Sequence, residues 1–466
     1  MVLNLSGGVE KILCGLIMST TWIDPPMQLM YGILGVPVCV LLLSLGIWRT
    51  LGLMFSLAWV GAWAIGAYIW FTQVYLEDGP APIDKYIEFK DPATEKKWSG
   101  RRIPMTLLGD LYLDDKIAFR GDVMKIVREH RNEFVNYKLT TELLGFLVKQ
   151  LYQNSENSSL KDLDATRKEI EEHYDRGNDW FASFLGPKMV YTSAVFDGLD
   201  ESLEQAQENK MSLICEKLMV RPGDSFLDIG CGWGGLVCHA AQHYGATAAG
   251  VTLSQEGAKY CKEQIAQRGL SDTAKILVVD YRDIPLDLKF QRISSIEMAE
   301  HVGIQNFQTY LGRISDMLTD DGMFLMQVAG MRQSANWEDL TWGLFMSRYI
   351  FPGADASTPL HWYTKQLELA GFEVHSVETI GRHYSHTLAR WYANFQSNRA
   401  EMEKRFGAKL CRLWDFFLAW SNVAAGQGSA ACYQILAHKN TYTFPRDVFC
   451  EKAVAQKSVG LKTTKA

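Results

Sequence analysis

Glu297, Glu300 and His301 crowd the end of an apolar run, Ile293–Glu297. Two carboxyls and an imidazole so close together supply proton donors and acceptors suited to general acid–base work. If the run is a strand, these groups sit at its carboxyl end, the edge where open α/β sheets bind ligands. The bland alternative has Glu300 capping the next helix and His301 solvated, and the clustering of ionisable groups at that edge favours a site instead.

A second chemical signal is Phe226-Leu227-Asp228-Ile229-Gly230-Cys231-Gly232-Trp233-Gly234-Gly235, an apolar run feeding a glycine-dense loop. It reads as strand, tight turn and helix start, with glycines letting the backbone approach a ligand and the helix offering unpaired N–H groups. A dinucleotide site would want an acidic residue at the end of the next strand to hold the ribose. The strand predicted at Ala246–Thr252 ends without one, and Thr252, Leu253 and Ser254 supply hydroxyl and backbone groups instead. Asp228 stands before the glycines, an arrangement pointing to S-adenosylmethionine and methyl transfer ahead of hydride transfer.

The elements needed to position these groups follow from the pattern. Strands are predicted at Ser225–Ile229, Ala246–Thr252, Lys275–Val279, Ile293–Glu297, Met323–Val328, Glu373–Thr379 and Ala431–Ala437, alternating with helical runs from about Lys168 as a parallel sheet requires. A segment from Ser385 to Gly428 carries an aromatic stripe at helical spacing, including Trp391, Phe395, Trp414, Phe417 and Trp420. Its two readings are core packing and the lining of a lipid pocket.

Between Pro25 and Leu76 the only charged residue is Arg49, and a membrane span needs roughly 20 apolar residues. Met27–Trp48 and Leu51–Phe71 are therefore read as a transmembrane hairpin without a polar face, with Trp70, Phe71 and Tyr75 near an interface. Arg49 in the turn leaves both a spanning and a one-leaflet hairpin open. The formal charge of -6 over 466 residues gives no basic footprint for nucleic acid. The 9 cysteines show no paired spacing, which argues against a zinc cluster or disulfide framework and for a reducing, cytosol-facing catalytic domain. The expected organisation is an N-terminal segment 1–26, the hairpin 27–72, a polar extension 73–165, the catalytic domain 166–440 and a disordered tail 441–466. Asn157-Ser158-Ser159 fits a glycosylation acceptor that a cytosolic domain would leave unmodified.

Four motifs carry a family resemblance: Glu172-His173-Tyr174-Asp175 with Gly177-Asn178-Asp179; Tyr191-Thr192-Ser193; Asp228 through Gly234; and Glu297 through Gly303. Over roughly residues 165–440 the chain resembles the cyclopropane-fatty-acid synthase and mycolic-acid methyltransferase superfamily, and within it the membrane-anchored sphingolipid methyltransferases. The resemblance implies a Rossmann-like, doubly wound α/β sheet with helical insertions, S-adenosylmethionine as cofactor, and a membrane lipid such as ceramide or glucosylceramide as partner. It implies methylation at the ninth carbon of a sphingoid base, in the endoplasmic reticulum membrane. The alternatives are a phospholipid cyclopropane synthase and, from another class, a non-catalytic lipid-binding protein.

By the same resemblance Tyr191 and Thr192 close over the cofactor; Gly230, Gly232, Gly234, Thr252 and Leu253 lie under it; and Tyr281 with Arg282 falls near the adenine. Tyr191 and Trp233 suit a sulfonium because a ring face attracts a cation, and they suit packing equally. Bacterial members bind bicarbonate as the proton acceptor; Glu300, Tyr384 and the backbone at Ile296 match that cradle here, while its Cys and His are replaced by Ser193 and Gln327. Glu300 and Tyr384 are the expected main catalytic groups, with His301, Glu297, Gln327 and Ser193 in support. A changed cradle is consistent with loss of a chain proton, which leaves a methyl-branched alkene, in place of loss of a methyl proton, which closes a ring.

Overall fold

The computed structural model describes residues 51–70, 79–138, 140–153, 177–351 and 358–450. Met27–Trp48, the Glu172–Asp175 motif, the loop around Asn157 and the tail from Glu451 lie outside the described residues. The chain divides into two compact units.

The larger unit holds the chemistry. Its strands are β1 (Ser225–Ile229), β2 (Thr247–Thr252), β3 (Ala274–Val278), β4 (Phe290–Ile296), β5 (Leu318–Met331), β6 (Phe372–Thr379) and β7 (Ala430–Lys439). They form one sheet in the order β6-β7-β5-β4-β1-β2-β3, parallel from β3 to β5, with β7 antiparallel to both β5 and β6. All seven predicted strands are present, most with ends shifted by one to three residues. The exception is β5, which runs 14 residues where six were expected: β7 pairs with it out to Met331, and Leu318 at its start pairs with Phe290 of β4. The order reverses beside β1, which places a crevice between the carboxyl ends of β1 and β4.

Helices α1 (Asn178–Leu185), α2 (Leu203–Lys217), α3 (Gly235–Tyr244), α4 (Gln255–Gln267), α5 (Phe307–Met317), α6 (Leu360–Leu369), α7 (Gly381–Phe406) and α8 (Ala408–Gly426) complete the unit. Successive strand residues point to opposite faces, so each face builds its own core. Phe226, Ala248 and Ile276 pack with Ile214, Val237 and Cys261 from α2, α3 and α4. Leu227, Val251, Ile293 and Met326 pack on the other face with Leu311, Ile314 and Leu367 from α5 and α6. The result is the helix–sheet–helix arrangement of a doubly wound fold.

The aromatic stripe is core. Trp391, Phe395, Trp414, Phe417 and Trp420 are all buried, and Trp414 meets Trp180 edge-on with ring centroids 5.1 Å apart. A polar lock joins α7 to α8: Asp415, fully buried, accepts from Gln396 Nε2 at 2.7 Å and Arg399 Nη1 at 2.6 Å.

The smaller unit contains residues 51–70 and 79–121, together with 130–149 and 333–345. The last stretch was expected to belong to the catalytic domain; instead Trp337 packs with Leu143, Tyr68 and Tyr137, and Glu338 pairs with Arg131 at 2.7 Å. Two short strand pairs, Ile87–Phe89 with Ile117–Phe119 and Ile103–Pro104 with Val135–Asn136, give it a core of its own.

The expected second hairpin segment coincides with a helix, Leu51–Trp70, on which Leu57, Trp59, Trp63 and Ile65 are exposed. Among the described residues no helix is long and apolar enough to cross a membrane, so the transmembrane hairpin is without support here.

Asp415→Ala removes the acceptor of the bonds from Gln396 and Arg399 but leaves Arg399 paired with Glu403 at 2.9 Å. It should cost about 1–3 kcal/mol in urea unfolding, while an exposed change such as Glu401→Ala should stay within about 0.5 kcal/mol.

Candidate active site

The glycine loop comes first in the chain and sets the cavity floor. Gly230 and Gly232 have φ of 79° and 53°, conformations that L side chains rarely adopt. A Cβ on Gly230 would lie 2.6 Å from Met298 Cγ, so the β1 turn and the β4 turn approach too closely for any side chain there. The cavity above them is bounded by Gly230, Gly232, Trp233, Thr252, Leu253, Ser254, Tyr281, Arg282, Glu297 and His301, among others, and encloses about 960 Å³ including open solvent. A second cavity shares Gly230, Gly232, Trp233 and Glu297 and adds Tyr191, Thr192, Lys210 and Asp228.

Several expected contacts have a structural job as well. The Ser254 hydroxyl caps α4 by accepting from Gly257 N at 3.0 Å. Trp233 Nε1 donates to Asn178 Oδ1 at 2.7 Å, and its ring lies 5.0 Å from that of Phe181. Arg282 grips Asp280 with both Nε and Nη2, at 2.8 and 2.7 Å. Asp280, not expected from the sequence, is thereby fixed at the end of β3 among the cavity-lining residues. Asp228 accepts from Ser294 Oγ at 2.7 Å, and burial pushes its carboxyl up to about 6.

The acid–base groups converge at the end of β4. Glu297 has φ of 53°, and its N–H donates to Gln327 O at 2.7 Å. The left-handed turn brings its carboxylate back against the sheet edge. There Oε1 accepts from Ser193 N at 2.9 Å and Gln327 Nε2 at 2.7 Å, with Cys432 Sγ 3.7 Å away. Oε2 accepts from Tyr384 OH at 2.9 Å. Ser193 contributes its backbone N–H, because its hydroxyl is turned to Ala194 O.

Glu300 is placed differently. It is 6 % exposed, Oε1 accepts from Ala329 N, and Oε2 has no hydrogen-bond partner among the described residues. Burial, with Glu297 beside it, pushes its carboxyl up to about 8. It therefore holds a proton at neutral pH, and it lines neither cavity. His301 borders the first cavity, and its ring lies 6.0 Å from that of Phe351.

Lys210 escaped the sequence reading. It is 3 % exposed, donates to Thr192 Oγ1 at 2.6 Å, and burial lowers its ammonium to about 8 against the opposing pull of Glu297 and Asp228. The available signal was its spacing: with Leu203, Ala206, Met211 and Ile214 it shares the buried side of α2.

Tests of fit give opposite answers for the two implied small molecules. The loop glycines, Thr252 and the Asp280–Arg282 turn at the carboxyl ends of β1, β2 and β3 suit S-adenosylmethionine. Bicarbonate does not fit: the donors expected to cradle it, Gln327, Tyr384 and the Ser193 position, already hold the carboxylate of Glu297. A second anion in that cradle would meet like charge at close range.

Comparison with known proteins identifies the family. The family described as mycolic acid cyclopropane synthetase matches residues 161–435. The chain belongs to this family. It is 42% identical over 363 residues to sphingolipid C9-methyltransferase 2 of Gibberella zeae, covering 77% of this chain and 69% of the relative. It is 42% identical over 379 residues to the sphingolipid C9-methyltransferase of Komagataella phaffii, covering 78% and 76%. Among solved structures, the cyclopropane synthase MmaA2 of Mycobacterium tuberculosis superposes with a TM-score of 0.55 at 25% identity, over 59% of this chain and 98% of that one. The protein is an S-adenosylmethionine-dependent methyltransferase of this family.

The state of Glu300 predicts a pH signature. The unfolded chain loses this proton near 4.5, whereas the native protein keeps it to about 8, so between these values the native state binds more protons and stability falls as pH rises. Glu300→Gln keeps the shape without that cost. In urea unfolding its advantage over the parent should be small at pH 5 and grow steadily to pH 8; an advantage independent of pH would contradict the assignment.

Proposed function

We propose that this protein methylates the ninth carbon of a sphingoid base in ceramide or glucosylceramide, and that Glu297 takes up the proton released. The reading is supported by the names borne by its 42%-identical relatives. One structural observation carries the chemistry: a carboxylate at the cavity edge, bonded on both oxygens and bounding both cavities, beside a sealed carboxyl that keeps its proton.

Bound in the cavity, S-adenosylmethionine would supply an electrophilic methyl group and leave as the neutral thioether, its sulfur keeping the electron pair of the broken carbon–sulfur bond. The lipid double bond provides the electron pair of the new carbon–carbon bond, and a positive charge is left on the neighbouring chain carbon. The carboxylate of Glu297 faces that charge and accepts a proton from the newly methylated carbon, so the alkene reforms with a methyl branch. Tyr384, Gln327 and the Ser193 N–H hold the carboxylate in place, the pattern of three fixed donors on an acceptor-only group. The neutral Glu300 adds no second charge beside it. The sequence favoured Glu300 as base; exposure to the cavity and bonding favour Glu297.

Membrane attachment belongs to the same proposal. The apolar residues exposed on the helix Leu51–Trp70 suit contact with lipid, in the endoplasmic reticulum membrane with the catalytic unit facing the cytosol. The full chain should stay with membranes through an alkaline wash, and its recovery in the soluble fraction would overturn the attachment.

Glu297→Gln should lower turnover by about 10²–10⁴-fold with S-adenosylmethionine binding retained, and Tyr384→Phe should be milder because it deletes one hydrogen bond. Mass spectrometry should find the product one methylene heavier with its alkene kept. A product that has lost the alkene would identify a cyclopropane synthase instead.

A further inference from the structure

A row of polar side chains crosses the sheet behind the proposed base. Glu378 on β6, Gln434 on β7 and Gln327 on β5 are direct cross-strand neighbours, and Gln327 stands opposite Ile296, the residue before Glu297. Gln327 and Gln434 are 0 % and 1 % exposed, so no solvent compensates a misdirected bond. Their hydrogen bonds all run one way. Lys217 Nζ, at the end of α2, donates to Gln434 Oε1 at 2.6 Å and to Glu378 Oε2 at 2.5 Å. Gln434 Nε2 donates to Gln327 Oε1 at 2.9 Å, and Gln327 Nε2 donates to Glu297 Oε1 at 2.7 Å.

A primary amide accepts at one end and donates at the other, an ammonium only donates, and a carboxylate only accepts. Two amides between a donor-only end and an acceptor-only end make every bond in a single orientation. Were the outer end an acceptor, Gln434 would turn its NH₂ outward, and Gln327 would turn its carbonyl oxygen toward Glu297. We propose that Lys217, which lines neither cavity, is a positioning residue for Glu297: it fixes the polarity of the two-glutamine row so that Gln327 presents an N–H to the carboxylate. The inference rests on the reading of Glu297 as proton acceptor.

The groups facing Glu297 are Lys210 from α2, Tyr384 from α7, Cys432 from β7 and Glu300 on its own segment. Glu378 faces Lys217 and His383. All of those around Glu297 are unchanged by substitutions at the outer end, so a difference between variants reports the row.

The test is the pH profile of kcat for the full chain, with sphingolipid in mixed micelles and labelled S-adenosylmethionine. Lys217→Glu places an acceptor at the outer end. It should move the acid limb to higher pH, costing up to about tenfold in kcat on that limb and little on the plateau above it, with S-adenosylmethionine affinity unchanged. The swap Lys217→Glu with Glu378→Lys returns a donor to the position opposite Gln434 and should restore the profile. Should Lys217→Glu fail to fold, Lys217→Met removes the donor without adding an acceptor and should give a smaller shift in the same direction. Profiles of these variants coinciding with the parent's would overturn the row, as would a swap that binds cofactor yet leaves the limb displaced. Full activity in Glu297→Gln would instead overturn the reading of the base.

Discussion

The site depends on the separation of two carboxyls that are three residues apart in the chain. The left-handed turn at Glu297 brings one against Ser193, Gln327 and Tyr384 at the cavity edge, while the following turn buries the other beneath Ala329 N. Two ionised carboxylates side by side would repel, and burial of Glu300 resolves this by favouring its protonated form. Proximity in sequence thus produces two different chemical groups from one residue type.

Everything that frames Glu297 comes from elements far away in sequence. Ser193 enters from the segment before α2, Gln327 from β5, Tyr384 from the first turn of α7 and Cys432 from β7. The antiparallel β7 is what brings Gln434 beside Gln327, so the departure from an all-parallel sheet also builds the polar row behind Glu297. Buried amides are costly unless fully bonded, which makes this row a source of orientation and not of stability.

The relation to the family is clearest in the cradle. The same donor positions that resemblance assigns to a bound anion here meet a side chain of the protein itself. On the proposed reading, a tethered carboxylate would be present at every turnover without a binding equilibrium, and its single attachment point at the end of β4 would restrict which proton it can reach.

The sheet and its cofactor loop were legible in the sequence because each rests on local rules. Strand runs such as Ser225–Ile229 bury both faces, and the positive φ at Gly230 and Gly232 needs glycine whatever surrounds it. The placement of Glu297 and His301 beside the cavity was likewise legible from their position at a strand end. The division of labour between Glu297 and Glu300 was not, because it depends on which carboxyl the tertiary structure seals and which it bonds. Lys210 and Lys217 were invisible for a related reason: lysines normally face water, and only packing against the sheet buries the first and aims the second at Gln434. Sequence by itself determined the chemistry available, through residue types and backbone demands. The tertiary structure decided which groups are charged and where they point, since desolvation and hydrogen-bond partners are supplied by distant segments of the chain.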